Sequence, residues 1–389
     1  MRADVEFDHY LLSAAADPHP EVARLREQCP VAHTDAHDGY WVLSTYDNVW
    51  AAALDTATFS SSSGASIPPS GLGIPLIPLE VDPPRHTGYR RVLGRYLLSK
   101  ALARFEEPIR AHVRGAIDTF APKGSCDIST ELLFPMATYA LGLVFGLPAE
   151  RGPELEQIAT SLIRLGDTSA AMRLYTVFAE VIADRKANPA DDLPSGLVSS
   201  TVGGVALTDE EIVLCCFTIF GAGLETVASA GAHMLAILAE HPADREVLCA
   251  EPTRIPQAVE ELLRLVSPLP AMSRTATKDV VVGDHQISAG ERVLLMWIAA
   301  NRDPEVFADP GRLNFDRDKA SVAFGVGPHR CIGAHLARLE LRIMLEELLN
   351  TMPDYRITDP DQVVRFAGAA RGVASMPISF TASSPSRGR

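Results

Sequence analysis

The stretch Phe324-Gly325-Val326-Gly327-Pro328-His329-Arg330-Cys331-Ile332-Gly333-Ala334-His335-Leu336-Ala337-Arg338 constrains this chain more than any other. Two glycines and a proline rule out a regular helix or strand before Cys331, and helical spacing resumes after it, to about Leu349. Cys331 is therefore expected where a glycine-rich loop turns into a helix. Unpaired N–H groups and the helix dipole favour a thiolate at such a point. Gly325, Gly327 and Gly333 let backbone approach a flat, bulky group, and Phe324 is placed to keep water from the sulfur. A zinc site does not fit, because no second Cys/His pair has the needed spacing. The other cysteines, Cys29, Cys126, Cys215, Cys216 and Cys249, are scattered without pairs. They read as small apolar residues in a reduced compartment, with no disulfide framework.

The rest of the chain reads as helix-dominated. A short helix ends near Gln28, Val31–Thr34 and Tyr40–Leu43 form a strand pair, and a helix covers Asp47–Leu54. Phe59 to Pro78 is rich in Ser, Gly and Pro, too long for a tight turn. Apolar residues then recur at three- and four-residue spacing from about Pro84 to Glu240. The longest helix is expected to start at Thr208, because Thr208-Asp209-Glu210-Glu211 has capping-box spacing, and to end at His241-Pro242. Another helix covers Pro256–Val266. Short β runs follow at Val280–Val282, Gln286–Ser288 and Arg292–Met296. A coil rich in Asp, Pro and Gly leads from Asn301 to Pro328. No linker-like segment divides the chain, so residues 1–389 are expected to form a single, mainly α domain with small β-sheets.

Composition removes several function classes. The 389 residues are 47% hydrophobic with a formal charge of −14. That acidity argues against nucleic acid or anionic lipid as the main partner. Neither a signal-type leader nor an apolar run of bilayer length is apparent, which predicts a cytoplasmic protein without membrane contact.

Three further groupings carry chemistry. His86 and Arg90 lie one helical turn apart, as do Glu261 and Arg264, so each pair shares a helix face. Gly221 and Gly223 fall inside the longest helix, where each costs about 1 kcal/mol relative to alanine. Thr226, just beyond, can bond back to a helix carbonyl and help open the ladder.

Taken together, these marks resemble the cytochrome P450 family. The string around Cys331 is similar to its signature Phe-Gly-x-Gly-x-His-x-Cys-x-Gly, and the other marks occur in family order over nearly the whole chain. The resemblance implies the cytochrome P450 fold, with haem b between the long central helix and the cysteine-loop helix and Cys331 as axial ligand of the iron. It implies that His86, Arg90, Arg274 and His329 hold the haem propionates, and that Ala222 and Gly223 lie against the haem. Glu225 and Thr226 resemble the acid–alcohol pair that delivers protons to bound oxygen, with Glu where many members carry Asp. Glu261, Arg264 and Arg312 match a buried structural triad. The implied reaction is insertion of one atom of O₂ into a mainly apolar small molecule of specialised metabolism, near Thr218, Ala222, Pro270 and Ala271. Oxidative coupling on the same haem, a peroxide-driven enzyme and a haem-binding sensor or carrier are the alternatives. The chain carries no flavin or nicotinamide fingerprint, so electrons are expected from an external carrier, most simply a ferredoxin. It would dock on a basic face that includes Arg91, Arg95 and Arg338. A monomer is expected.

Overall fold

The computed structural model describes residues 4–384. Its axis is one continuous helix, Asp209–Glu240, of 32 residues. The capping box expected at its start is formed: the Thr208 hydroxyl accepts the Glu211 N–H, and the Glu211 carboxylate accepts the Thr208 N–H. The two glycines do not break it. By length and composition this helix could cross a membrane, but 78% of its most apolar window is buried inside the protein, which marks it as a core helix. Helices Phe134–Val144, Ser169–Ala187 and Ile255–Val266 pack along it.

The helix after Cys331 begins at Ala334 and ends at Thr351, with Gly333 as N-cap, so Cys331 itself lies in the preceding turn. It packs against Glu106–Phe120 and Ile255–Val266, and reaches the central helix between them. A tight ion-pair network ties it to Glu106–Phe120. Arg110 reaches Glu346 and Glu347 at 2.6 and 2.5 Å, and Arg114 reaches Glu347 at 2.7 Å.

The small sheets join distant parts of the chain. The largest runs in the order Val31–Thr34, Tyr40–Leu43, Arg292–Leu295, Met272–Ala276, Phe59–Ser60. It places Arg274 opposite Val293 and Ser60 opposite Thr275. Met272–Ala276 is not legible as a strand from periodicity, because its pairing is entirely with segments far away in sequence. The C-terminal strands Arg356–Ile357 and Pro377–Ser379 likewise pair with separated segments, whereas Val364–Phe366 and Gly372–Ser375 form a local hairpin. Tertiary partners, not local propensity, make strands of such short runs.

Candidate active site

Cys331 is held by its own loop. Its N–H donates to the Phe324 carbonyl at 2.8 Å, and Gly325 N–H donates to Val322 O at 2.8 Å. The Gly333 amide and the nearby Arg90, Arg330 and Arg338 favour the thiolate, but burial outweighs them and pushes the Cys331 thiol up. Cys331 as a residue is nonetheless exposed, as suits a ligand beside a cleft. Two local expectations change. Gly327, at φ +72°, is required by close approach of the helix Tyr46–Leu54: a Cβ there would meet Ala53 O at 2.8 Å. Phe324 is only partly buried, and the Arg338 guanidinium lies 4.5 Å from its ring centre.

The coil leading to Cys331 is anchored from beneath. Arg264 grips Glu261 with two bonds of 2.7 Å and donates to the carbonyls of Asn301 and Pro310 at 2.8 Å each. The third member of this group is Arg317, whose Nε lies 3.2 Å from Glu261 Oε1. This corrects the expectation for Arg312. Its side chain is exposed, and only its carbonyl, at 3.4 Å from Arg264, meets the pair. The turn at Asp309, φ +47°, carries the chain around so that Arg317, five residues beyond Arg312, faces inward. Asn301, fully buried, was missed by sequence reasoning. Its side chain accepts the Val322 N–H at 2.7 Å and donates to Ser267 at 2.9 Å, pinning the start of the cysteine loop.

His86, Arg274 and His329 converge from a helix, a strand and the cysteine loop. The His86 and His329 rings lie 4.0 Å apart, centre to centre. Burial, with Arg90 and Arg274 nearby, holds His86 down to about 4. Burial and the same cations, with His86 itself, hold His329 down to about 3. Burial also lowers Arg274 to about 10, although Asp82 lies within its field. His86 Nδ1 and Arg274 Nε are buried without a hydrogen-bond partner among the described residues. Mutually repelling donors of this kind suit acidic groups brought from outside the chain, so the cluster fits the two propionates of a haem. Ser61, also missed by sequence reasoning, stands 3.4 Å from His329 Nε2.

On the central helix, Ala222 is exposed while most of its neighbours are buried. At half-buried Gly223 a Cβ would meet Leu141 at 3.0 Å, so this glycine also eases the contact with helix Phe134–Val144. The Thr226 hydroxyl donates to Ala222 O at 2.7 Å, and the helix stays regular through it. Adjacent in sequence, Thr226 and Glu225 turn to different partners. Glu225 accepts from Arg164 at 2.9 Å and from Ser229 at 2.7 Å. Arg164 closes a π-helical turn, Thr160–Arg164, a feature often found at functional sites. Among the remaining expected pocket residues, Thr218 and Pro270 are buried and Ala271 is half-buried.

The expected basic face is partly neutralised. Arg85 pairs with Glu211, Arg104 with Asp191, Arg338 with Glu260, and Arg342 with Glu106 and Glu346. Arg91, Arg95, Lys100 and Arg330 are exposed and form no ion pair among the described residues.

Comparison with known proteins meets this geometry. The family profile described as Cytochrome P450 matches residues 169–353. The steroid C26-monooxygenase of Mycolicibacterium smegmatis is 35% identical over 361 residues, which is 90% of this chain and 89% of that protein. Cytochrome P450 CYP109Q5 from Chondromyces apiculatus has the same fold, with a TM-score of 0.90 at 30% identity, over 99% of this chain and 100% of that one. Mycobacterium marinum cytochrome P450 CYP268A2, solved in complex with pseudoionone, gives 0.89 at 28% identity over 98% and 100%. Likeness of this extent in both sequence and fold, around an accessible cysteine with a cradle of unpartnered basic donors, leaves one assignment: this chain belongs to the cytochrome P450 family, the haem b monooxygenases.

Proposed function

We propose that this chain oxidises a mainly apolar small organic molecule of specialised metabolism, in the cytoplasm, with electrons from an acidic carrier such as a ferredoxin. The observation that carries this reading is the stripe of the central helix where Ala222 is exposed and Thr226 presents its hydroxyl. Cys331 would ligate the iron, and His86, Arg90, Arg274 and His329 would hold the propionates. When bound, haem would supply the reductive activation of O₂, and the Cys331 thiolate would lend it electron density.

The protein's own part is placement and proton control. Thr226 holds a hydroxyl at the helix surface whose proton can be handed on and replaced. Glu225 is the nearest acid. Burial raises its pKa, while Arg164 and Ser229 pull it back. It is thus a buried carboxyl held above the ordinary carboxylate range, and it must leave Arg164 to serve the cleft. Leu269, Pro270, Ala271, Met272 and Ala222 present small or apolar surface, which suits an apolar substrate. The related steroid C26-monooxygenase and the pseudoionone complex support a substrate of that kind.

Two variants test the reading together. Cys331→Ala should abolish the thiolate signature in the carbon monoxide difference spectrum of the reduced protein. Thr226→Ala should keep that signature and consume reductant, yet release peroxide or water in place of product. Full coupling in Thr226→Ala would place proton delivery elsewhere.

A further inference from the structure

His33 stands on the strand Val31–Thr34, at one edge of the largest sheet, with 2% of its surface exposed. Its ring packs edge-on against Trp41, 5.3 Å between centres. Gly39 closes over the other side: at φ +89°, a Cβ there would come within 3.4 Å of Nε2. The ring is thereby held in one orientation, with Nδ1 turned to two carboxylates. Asp4 Oδ1 lies 3.1 Å away and Asp35 Oδ1 3.8 Å away. The backbone accounts for both. Side chains two apart on an extended chain share a side, which brings Asp35 to His33. Asp4 is carried in by a parallel bridge to His33, fixed by the Val5 N–H donating to His33 O at 2.8 Å.

The spacing is that of a coordination shell. Zinc bonded to nitrogen and oxygen at about 2.0–2.1 Å in a tetrahedron sets its ligand atoms about 3.4 Å apart. The two separations bracket that figure, and the three donor atoms all lie within 4.8 Å of one another. Charge points the same way. Among the described residues neither Asp4 nor Asp35 pairs with a lysine or arginine. The group carries −2 with a neutral imidazole and still −1 with a protonated one, so His33 alone does not balance its neighbours. Access is open. Both carboxylates are exposed and line a surface cavity of about 670 Å³, whose described lining also includes Glu6, Asp8 and Glu21 and no lysine or arginine.

We infer that Asp4, His33 and Asp35 form a divalent-cation site of the zinc class, with water from the cavity in the fourth position. One imidazole and two carboxylates suit a borderline cation, and the two carboxylates neutralise its charge. The ion ties the N-terminal segment to the edge of the sheet, so its role is structural. The site shares no residue with the cysteine loop or with the basic cluster of His86, Arg274 and His329, and it does not depend on the proposed reaction.

The probe is Zn²⁺ alone, added to tag-free, haem-loaded protein that has been treated with a mild chelator. Equilibrium dialysis with elemental analysis should find a single tight equivalent of zinc per chain. Asp4→Asn and Asp35→Asn, both at exposed side chains, should weaken that equivalent at least about tenfold, and so should His33→Gln. The aspartate variants keep the test decisive should His33→Gln fail to fold. His37→Gln should leave binding unchanged, since His37 and Asp8 form a separate pair beside the same cavity. Zinc should raise the melting temperature of wild type but not of Asp35→Asn. X-ray absorption at the zinc edge should show imidazole and oxygen ligands without sulfur. Absence of a tight equivalent, equal binding by wild type and Asp35→Asn, loss of binding in His37→Gln, or sulfur at the zinc would overturn the inference.

Discussion

Arg164 and Glu225, 61 positions apart in sequence, form a closed ion pair, Nε to Oε2 2.9 Å, with both side chains under a tenth exposed. The guanidinium lies 4.2 Å from the centre of the Phe134 ring and also donates to Ala374 O at 3.2 Å. Ser229 completes the set: it donates to Glu225 and accepts the Val373 N–H at 3.2 Å. The acid next to Thr226 therefore links three elements, the central helix, the π-turn and the C-terminal hairpin.

Removing one partner of this pair should be costly. Arg164→Leu leaves a buried carboxylate without its cation, a change on the order of 3 kcal/mol for buried pairs. Burial already holds the Glu225 pKa above its ordinary value, and loss of Arg164 moves it further up. A carboxyl whose folded pKa is raised contributes stability below its unfolded value, near 4.5, and loses it as pH rises through the folded value. The melting temperature of Arg164→Leu should thus fall further behind wild type at pH 8 than at pH 5. A deficit that is the same at both values would show that the pair does not control ionisation of Glu225.

The correction from Arg312 to Arg317 makes its own contrast. Arg317→Ala removes a partly buried cation from Glu261 and a bond to Ala308 O of 2.9 Å, and should cost about 1–3 kcal/mol. Arg312→Ala alters an exposed side chain and should stay within about 0.5 kcal/mol. Thermal denaturation of the two variants decides between them. Haem should be lost more readily from Arg317→Ala, since the coil it anchors leads to Cys331.

Glu340 sits on the helix after Cys331, 1% exposed, with Oε2 lacking a hydrogen-bond partner among the described residues. Burial alone pushes its carboxyl well above the usual range. The neutral form is favoured in the folded state, so its contribution is full below about pH 4.5 and is lost as pH rises. Glu340→Gln keeps the shape without the charge. Its stability should match wild type near pH 4.5 and exceed it at pH 8, by at least about 1 kcal/mol, the scale of one unsatisfied buried polar group. Denaturant titrations at the two pH values give the comparison, and a variant less stable at both would point to an unseen partner for the ionised group.

If an acidic carrier docks on the basic face, the exposed and unpaired cations should dominate. Arg91→Glu with Arg95→Glu should slow electron transfer severalfold at low salt and remove most of its ionic-strength dependence. Arg338→Glu should act differently, because Arg338 is held by Glu260 and lies over Phe324. Its effect should appear mainly in stability and in the haem spectrum. Transfer rates that are independent of salt in all of these proteins would dispose of an electrostatic docking face.

Local patterns fixed what could be read without partners. The cysteine loop was legible because its glycines, proline and cysteine are contiguous, and their conformational demands do not depend on distant residues. The capping box at Thr208 was legible for the same reason, since donor and acceptor lie three positions apart. The convergence of basic residues was legible only through family resemblance, as His86 and His329 lie on a helix and a loop far apart in the chain.

What the tertiary structure alone decided was which charge meets which. Arg312 and Arg317 stand in the same coil, and spacing does not distinguish them; the turn at Asp309 does, by setting which side chain points at Glu261. Glu225 sits beside Thr226 in sequence, yet successive helical residues diverge by about 100°, so the acid turned to Arg164 and the alcohol to its own helix. Gly223 and Gly327 are glycines because Leu141 and Ala53 arrive from elsewhere in the chain. Sequence determines the local backbone and the chemical inventory; close packing determines which members of that inventory are left facing the cleft, because only the folded chain brings distant residues within bonding distance.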